Sequence, residues 1–99
     1  MNSKIKSKDV DFLFDAILQL KTREECYMLF EDLCTVQEMK ALSQRLTVAK
    51  MLSEGRVYSD IVKNTGASTA TISRVSKCCE YGSGGYRTVI ERLAAEEKK

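Results

Sequence analysis

An all-α fold carrying one helix-turn-helix is expected from three features of this sequence. Its 99 residues include no proline and only five glycines, so little interrupts regular helix. Apolar side chains return at intervals of three and four along most of the chain, the spacing that gathers them on one helix face. Between Tyr58 and Lys77 the run YSDIVKNTGASTATISRVSK reads as a short helix, a glycine turn and a second helix.

The elements follow in order. Val10, Leu13, Phe14, Ile17 and Leu20 form the stripe of a first amphipathic helix from about Lys8 to Leu20. Thr22 with Glu25 makes a capping-box pair, opening a helix with Cys26, Leu29, Phe30 and Leu33 on one face. Thr35 with Glu38 repeats the device for a longer helix whose stripe is Met39, Leu42, Leu46, Ala49 and Leu52, stopped by Gly55. After the hairpin, Tyr81-Gly82-Ser83-Gly84-Gly85 reads as a flexible tether or hinge; it lacks the Lys-Ser/Thr of a phosphate loop. A last helix carries Val89, Ile90 and Leu93, and Glu96 to Lys99 are expected to fray. These stripes are core positions, and they are broad for one small monomer, which argues for a partner.

Within the hairpin, Ser59 is the expected N-cap of the first helix, with Asp60 complementing the positive end of its dipole. Gly66 sits where the chain must turn sharply, and Ser68 is the expected N-cap of a second helix from about Thr69 into the Cys78–Cys79 region. Ile61, Val62, Ala67, Ile72 and Val75 are its apolar positions. Ser68, Thr69, Ala70, Ser73, Arg74 and Lys77 are left facing out. Short side chains let a helix lie deep in the DNA major groove, hydroxyls reach base edges or phosphates, and a thymine methyl packs on Ala or Thr. A packing hairpin without nucleic acid has the same outline, and charge separates the two. From Arg56 to Cys79 there are four cations (Arg56, Lys63, Arg74, Lys77) against Asp60, whereas Met1 to Gly55 holds eight cations and nine anions. The net charge of +2 hides this asymmetry.

Several function classes are disfavoured. No apolar run of about 18 residues exists to cross a membrane, and the lysine-bearing N-terminus lacks the apolar segment of a secretory signal. A cytoplasmic protein of one small domain, residues 1–99, is expected. The four cysteines (Cys26, Cys34, Cys78, Cys79) have no histidine beside them and no C-x-x-C spacing. Adjacent Cys78 and Cys79 point about 100° apart on a helix, so reduced, structural cysteines are expected and no metal. With no histidine base, nucleophile elbow or carboxylate cluster, the chain is not read as an enzyme.

From about Leu33 to Leu93 the sequence resembles the Trp repressor superfamily, and within it the YerC/YecD group of Trp-repressor-related proteins. LCTVQEMKALSQRL is similar to that family's L-T-P-x-E-x-x-A-L-x-x-R helix opening. Leu52-Ser53-Glu54-Gly55 matches its stop, and GASTATISR is similar to G-A-x-x-A-T-I-[ST]-R. The resemblance implies an intertwined helical homodimer, the first three and last helices sharing one core. Two reading heads then project about 34 Å apart onto palindromic double-stranded DNA. It places Ser59, Lys63, Ala67, Ser68, Thr69, Ala70, Thr71 and Ser73 toward DNA; from the charge pattern, Lys63, Arg74 and Lys77 are expected to contact phosphates.

The resemblance also implies a corepressor pocket. Arg45 and Arg74 match its two carboxylate-binding arginines. Val75 replaces a glycine and would crowd a flat indole; Cys78 replaces a serine that would meet the ligand's amino group. Tryptophan is therefore not the expected ligand. Either a different small molecule binds, or Val75 fills the pocket permanently, which is favoured. Arg45 has an alternative partner in Glu38 or Glu80. The expectation is a dimeric DNA-binding transcriptional repressor without a fixed cofactor. The alternative is a helical protein-interaction module with a vestigial reading head, since the second hairpin helix holds only two cations.

Overall fold

The computed structural model describes residues 3–98. Among them the chain is all-helical, with six helices and no strand: α1 Lys8–Leu18, α2 Arg23–Leu33, α3 Val36–Ser53, α4 Tyr58–Thr65, α5 Thr69–Tyr81 and α6 Gly85–Glu97. The chain divides into two compact units, Met1–Met39 and Lys40–Lys99.

The first unit is built from well-capped helices. Ser7 Oγ accepts the Val10 N–H at 3.1 Å to start α1. This helix ends at Leu18 and not Leu20, because Gln19 and Leu20 donate to the Ala16 and Ile17 carbonyls, three residues back, tightening the last turn. At α2, Thr22 Oγ1 accepts from the Glu25 N–H at 3.1 Å, while Glu25 Oε1 reaches back to the Lys21 N–H at 2.7 Å, one residue beyond the expected cap. The α3 box closes on itself: Glu38 N–H donates to Thr35 Oγ1 at 3.1 Å and Thr35 N–H to Glu38 Oε1 at 2.8 Å. The bond from the Thr35 backbone N–H, and then the Thr35 side chain, hold the Glu38 carboxyl below its ordinary pKa. Neither α1 nor α2 contains a buried residue. Phe14, Cys26 and Leu33, expected on inward faces, are exposed, and Phe12 and Leu18, outside the expected stripe, are 76% and 78% exposed.

The second unit owns a core. Val48, Ala49 and Met51 of α3, Ile61 of α4, Ala67 of the turn, and Ile72 and Val75 of α5 are buried together, with Leu52, Val62, Cys79, Tyr86 and Ile90 packed around them. The α3 stripe therefore differs from expectation. Ala49 is buried and Leu52 half-buried, but Val48 and Met51 carry the contact while Leu42 and Leu46 lie exposed. Apolar residues occupy two sides of α3, and the hairpin covers only one. Gly55, at φ 78°, ends α3 with its N–H on the Leu52 carbonyl and the Arg56 N–H on that of Met51, satisfying two of the last carbonyls.

Two further boundaries depart from expectation. α5 continues to Tyr81 and α6 begins at Gly85, so residues 82–84 alone connect them. α6 runs through Glu96 and Glu97 instead of fraying there, and Lys99 lies outside the described residues. All four cysteines are free thiols. Burial, then the neighbouring Cys78, pushes the Cys79 thiol up. No described helix is long and apolar enough to cross a membrane.

Ile72 is fully enclosed, so Ile72→Ala is expected to cost about 2–5 kcal/mol in urea unfolding. At Gly66 an added Cβ meets nothing within 4 Å, yet the backbone is left-handed at φ 73°. Gly66→Ala should therefore lower stability by about 1–2 kcal/mol through backbone conformation alone, with Gly66→Asn less damaging because asparagine tolerates that region.

Candidate nucleic-acid interface

The hairpin is set by its own short-range chemistry. Val57 precedes α4 and makes no side-chain cap bond; its carbonyl accepts the Asp60 and Ile61 N–H groups, so the helix starts at Tyr58. Ser59 therefore stands inside the first turn, exposed, instead of capping it as expected. Gly66 closes α4 with its N–H on the Val62 carbonyl at 2.9 Å. Ser68 caps α5 as expected, its Oγ accepting the Thr71 N–H at 3.1 Å.

Burial of Ile72 and Val75 fixes the rotation of α5. Ser68, Thr69, Ala70, Ser73, Arg74 and Lys77 are exposed, as is Lys63 on α4. Two of the residues expected to face DNA are placed otherwise. Ala67 is 2% exposed and belongs to the core; only its backbone lies at the turn. Thr71 is half-buried, and its hydroxyl accepts a hydrogen bond from that of Ser68 at 3.0 Å, which makes it a support for Ser68.

The electrostatics are simpler than the residue count suggests. Arg56, just before α4, and Asp60 in its first turn form an ion pair. Asp60 also accepts from Asn64 Nδ2 at 2.8 Å. The hydrogen bond from Arg56 holds the Asp60 carboxyl below the usual range, and the same bond raises Arg56. The two charges cancel locally. Among the described residues Lys63, Arg74 and Lys77 form no ion pair, so they supply the hairpin's free positive charge.

Of the four residues expected to line a ligand pocket, only Cys78 borders the groove beside α5 and α6. Val75 is 1% exposed within the core, where a glycine would leave space. Cys78 lines a groove of about 360 Å³ with Gly82, Ser83, Gly84, Gly85, Tyr86 and Val89, and neither Arg45 nor Arg74 borders it. Arg45 is half-buried and, among the described residues, pairs with neither Glu38 nor Glu80, contrary to one expectation.

Sequence reasoning missed the polar organisation of the turn. Thr65 Oγ1 donates to the Ile61 carbonyl at 2.7 Å and accepts the Ala67 N–H at 3.1 Å, so one hydroxyl ties α4 to the start of the next element. Gln44 Nε2, from α3, donates to the Thr65 carbonyl at 3.2 Å. A threonine before the turn glycine is a local signal that was available; the Gln44 partnership had none.

The geometry agrees with what comparison finds. The family profile described as Trp repressor protein matches residues 8–94. The YerC protein of Bacillus subtilis (strain 168) is 51% identical over 94 residues, covering 95% of this chain and 90% of that protein. A TrpR-like protein from Eubacterium eligens superposes with a TM-score of 0.89 at 56% identity, covering 94% of this chain and 96% of its own. A candidate Trp repressor from Staphylococcus aureus gives 0.88 at 50% identity, with 92% and 91% covered. Sequence and fold agree over nearly the whole length, and the chain belongs to the Trp repressor family.

Proposed function

We propose that this chain is a cytoplasmic, sequence-specific DNA-binding transcription regulator, a repressor that works as a homodimer. The observation that carries the reading is the outward face of α5. Hydroxyls at Ser68, Thr69 and Ser73 and the methyl of Ala70 stand beside Arg74 and Lys77, on a helix whose rotation is fixed by burial. Membership of the Trp repressor family supports the same reading.

In this mechanism Lys63, Arg74 and Lys77 bind phosphates and register the helix on the duplex. Ser59 adds a hydroxyl at the start of α4, where backbone N–H groups favour an anion. Thr69, Ala70 and Ser73 meet base edges, while Thr71 orients Ser68. A second copy covers the open apolar faces of α1 and α2, neither of which has a fully buried residue. Val75 occupies the space where a ligand would otherwise sit, so the heads need neither tryptophan nor another corepressor.

A helical interaction module with a vestigial head is the competing reading, favoured by the small number of free cations. Mobility-shift titrations on duplexes selected from a random pool separate the two. Six phosphate-neutralising cations per dimer predict a log–log salt slope of about −5. Thr69→Ala or Ser73→Ala should alter sequence preference by about 1–3 kcal/mol per lost base contact. Lys77→Ala should weaken all duplexes alike and flatten the slope by about two. Uniform loss in every variant would refute direct readout, and no binding in dilute buffer would favour the interaction module.

A further inference from the structure

We propose that Gln44 is a positioning residue for DNA readout, a latch that holds the hairpin at one tilt on α3; the proposal rests on the DNA-binding reading above. Among the described residues, its bond to the Thr65 carbonyl is the one side-chain hydrogen bond linking positions far apart in sequence, 21 residues, and it is partly buried. Thr65 is the last residue of α4, where a helix leaves its carbonyls without internal partners. Gln44 satisfies that carbonyl from the neighbouring element.

The rest of the contact between α3 and the hairpin is apolar: Val48, Ala49 and Met51 against Ile61, Ala67, Ile72 and Val75. Apolar burial holds surfaces together but is non-directional, so it resists separation better than it resists sliding. A hydrogen bond is directional and weakens steeply when misaligned. Thr65 spreads the constraint from α4 into the turn, because its hydroxyl is bound to the Ile61 carbonyl on one side and the Ala67 N–H on the other. The amide is neutral, so the latch neither titrates in the wild-type chain nor screens with salt.

In a two-headed dimer, a change in the tilt of each head moves the two reading helices along the duplex. The property the latch sets is therefore tolerance to half-site spacing, not affinity for one half-site. Gln44→Met keeps the length of the side chain without a donor. Gln44→Glu keeps the shape, loses the donor when ionised, and regains an O–H when protonated.

The experiment titrates the full chain against selected palindromes at native spacing and with one or two base pairs inserted or removed. Wild type should discriminate sharply. At neutral pH both variants should lose about fivefold at native spacing, the worth of a typical hydrogen bond, and bind the altered spacings almost as well. Affinity for a single half-site should stay within about twofold. As pH falls toward the carboxyl range of about 4–5, the spacing profile of Gln44→Glu should sharpen relative to that of Gln44→Met.

Amide hydrogen exchange at Gly66 and Ala67, measured without DNA, should quicken in both variants at neutral pH. With wild-type binding present, an unchanged spacing profile or unchanged exchange overturns the latch alone. Absence of duplex binding by wild type overturns the DNA reading and the positioning role together, and exchange then shows only whether the turn itself is held.

Discussion

The burial of Ile61, Ile72 and Val75 against Val48 and Ala49 of α3 is the contact on which the rest of the second unit depends. It fixes the rotation of the reading helix. Once Ile72 and Val75 point inward, Thr69, Ala70, Ser73, Arg74 and Lys77 have no alternative but the outer face. Each fully buried aliphatic side chain contributes about 1.5–3 kcal/mol. That is far more than any exposed hydroxyl or surface ion pair supplies. The chemistry of the outer face is consequently free to be whatever recognition needs. Gly66 makes the contact geometrically attainable, since its left-handed backbone folds α5 back without a side-chain penalty.

The two units differ in how far they complete themselves. α1 and α2 have eleven residues each, a length at which isolated helices are marginal in water. Their caps satisfy orphan N–H groups, but neither helix buries a residue within the described chain. Capping defines where such helices start; it does not supply the burial that keeps them. The proposal of a second copy answers this need with the same surfaces, self-complementary about a two-fold axis.

What was legible in the sequence was local. Thr35 with Glu38, Gly66, and Ser68 before Thr71 carry their meaning within four residues, and each is found in that role. Ser59 misled because the carbonyl of Val57 opens α4 two residues earlier, so the hydroxyl is already inside the helix. Along α3, apolar residues lie on two sides and periodicity alone could not select Val48 and Met51 over Leu42 and Leu46. Ala67 served two readings, since a small apolar residue suits both a core and a groove; burial assigns it to the core. Counting charges overlooked that Arg56 and Asp60, four residues apart, neutralise each other. Gln44 with Thr65 was invisible because a pairing across 21 residues leaves no local pattern.

In the proposed regulator a buried core orients a hydroxyl-rich helix, a glutamine steadies the turn before it, and a twin subunit supplies the second head. Sedimentation equilibrium of the purified chain, alone and with a palindromic duplex in dilute buffer, tests the twin subunit and the binding of duplex together. Two chains should sediment together without DNA, and two chains per duplex with it. A chain that sediments as a monomer and leaves the duplex unbound would contradict the proposal.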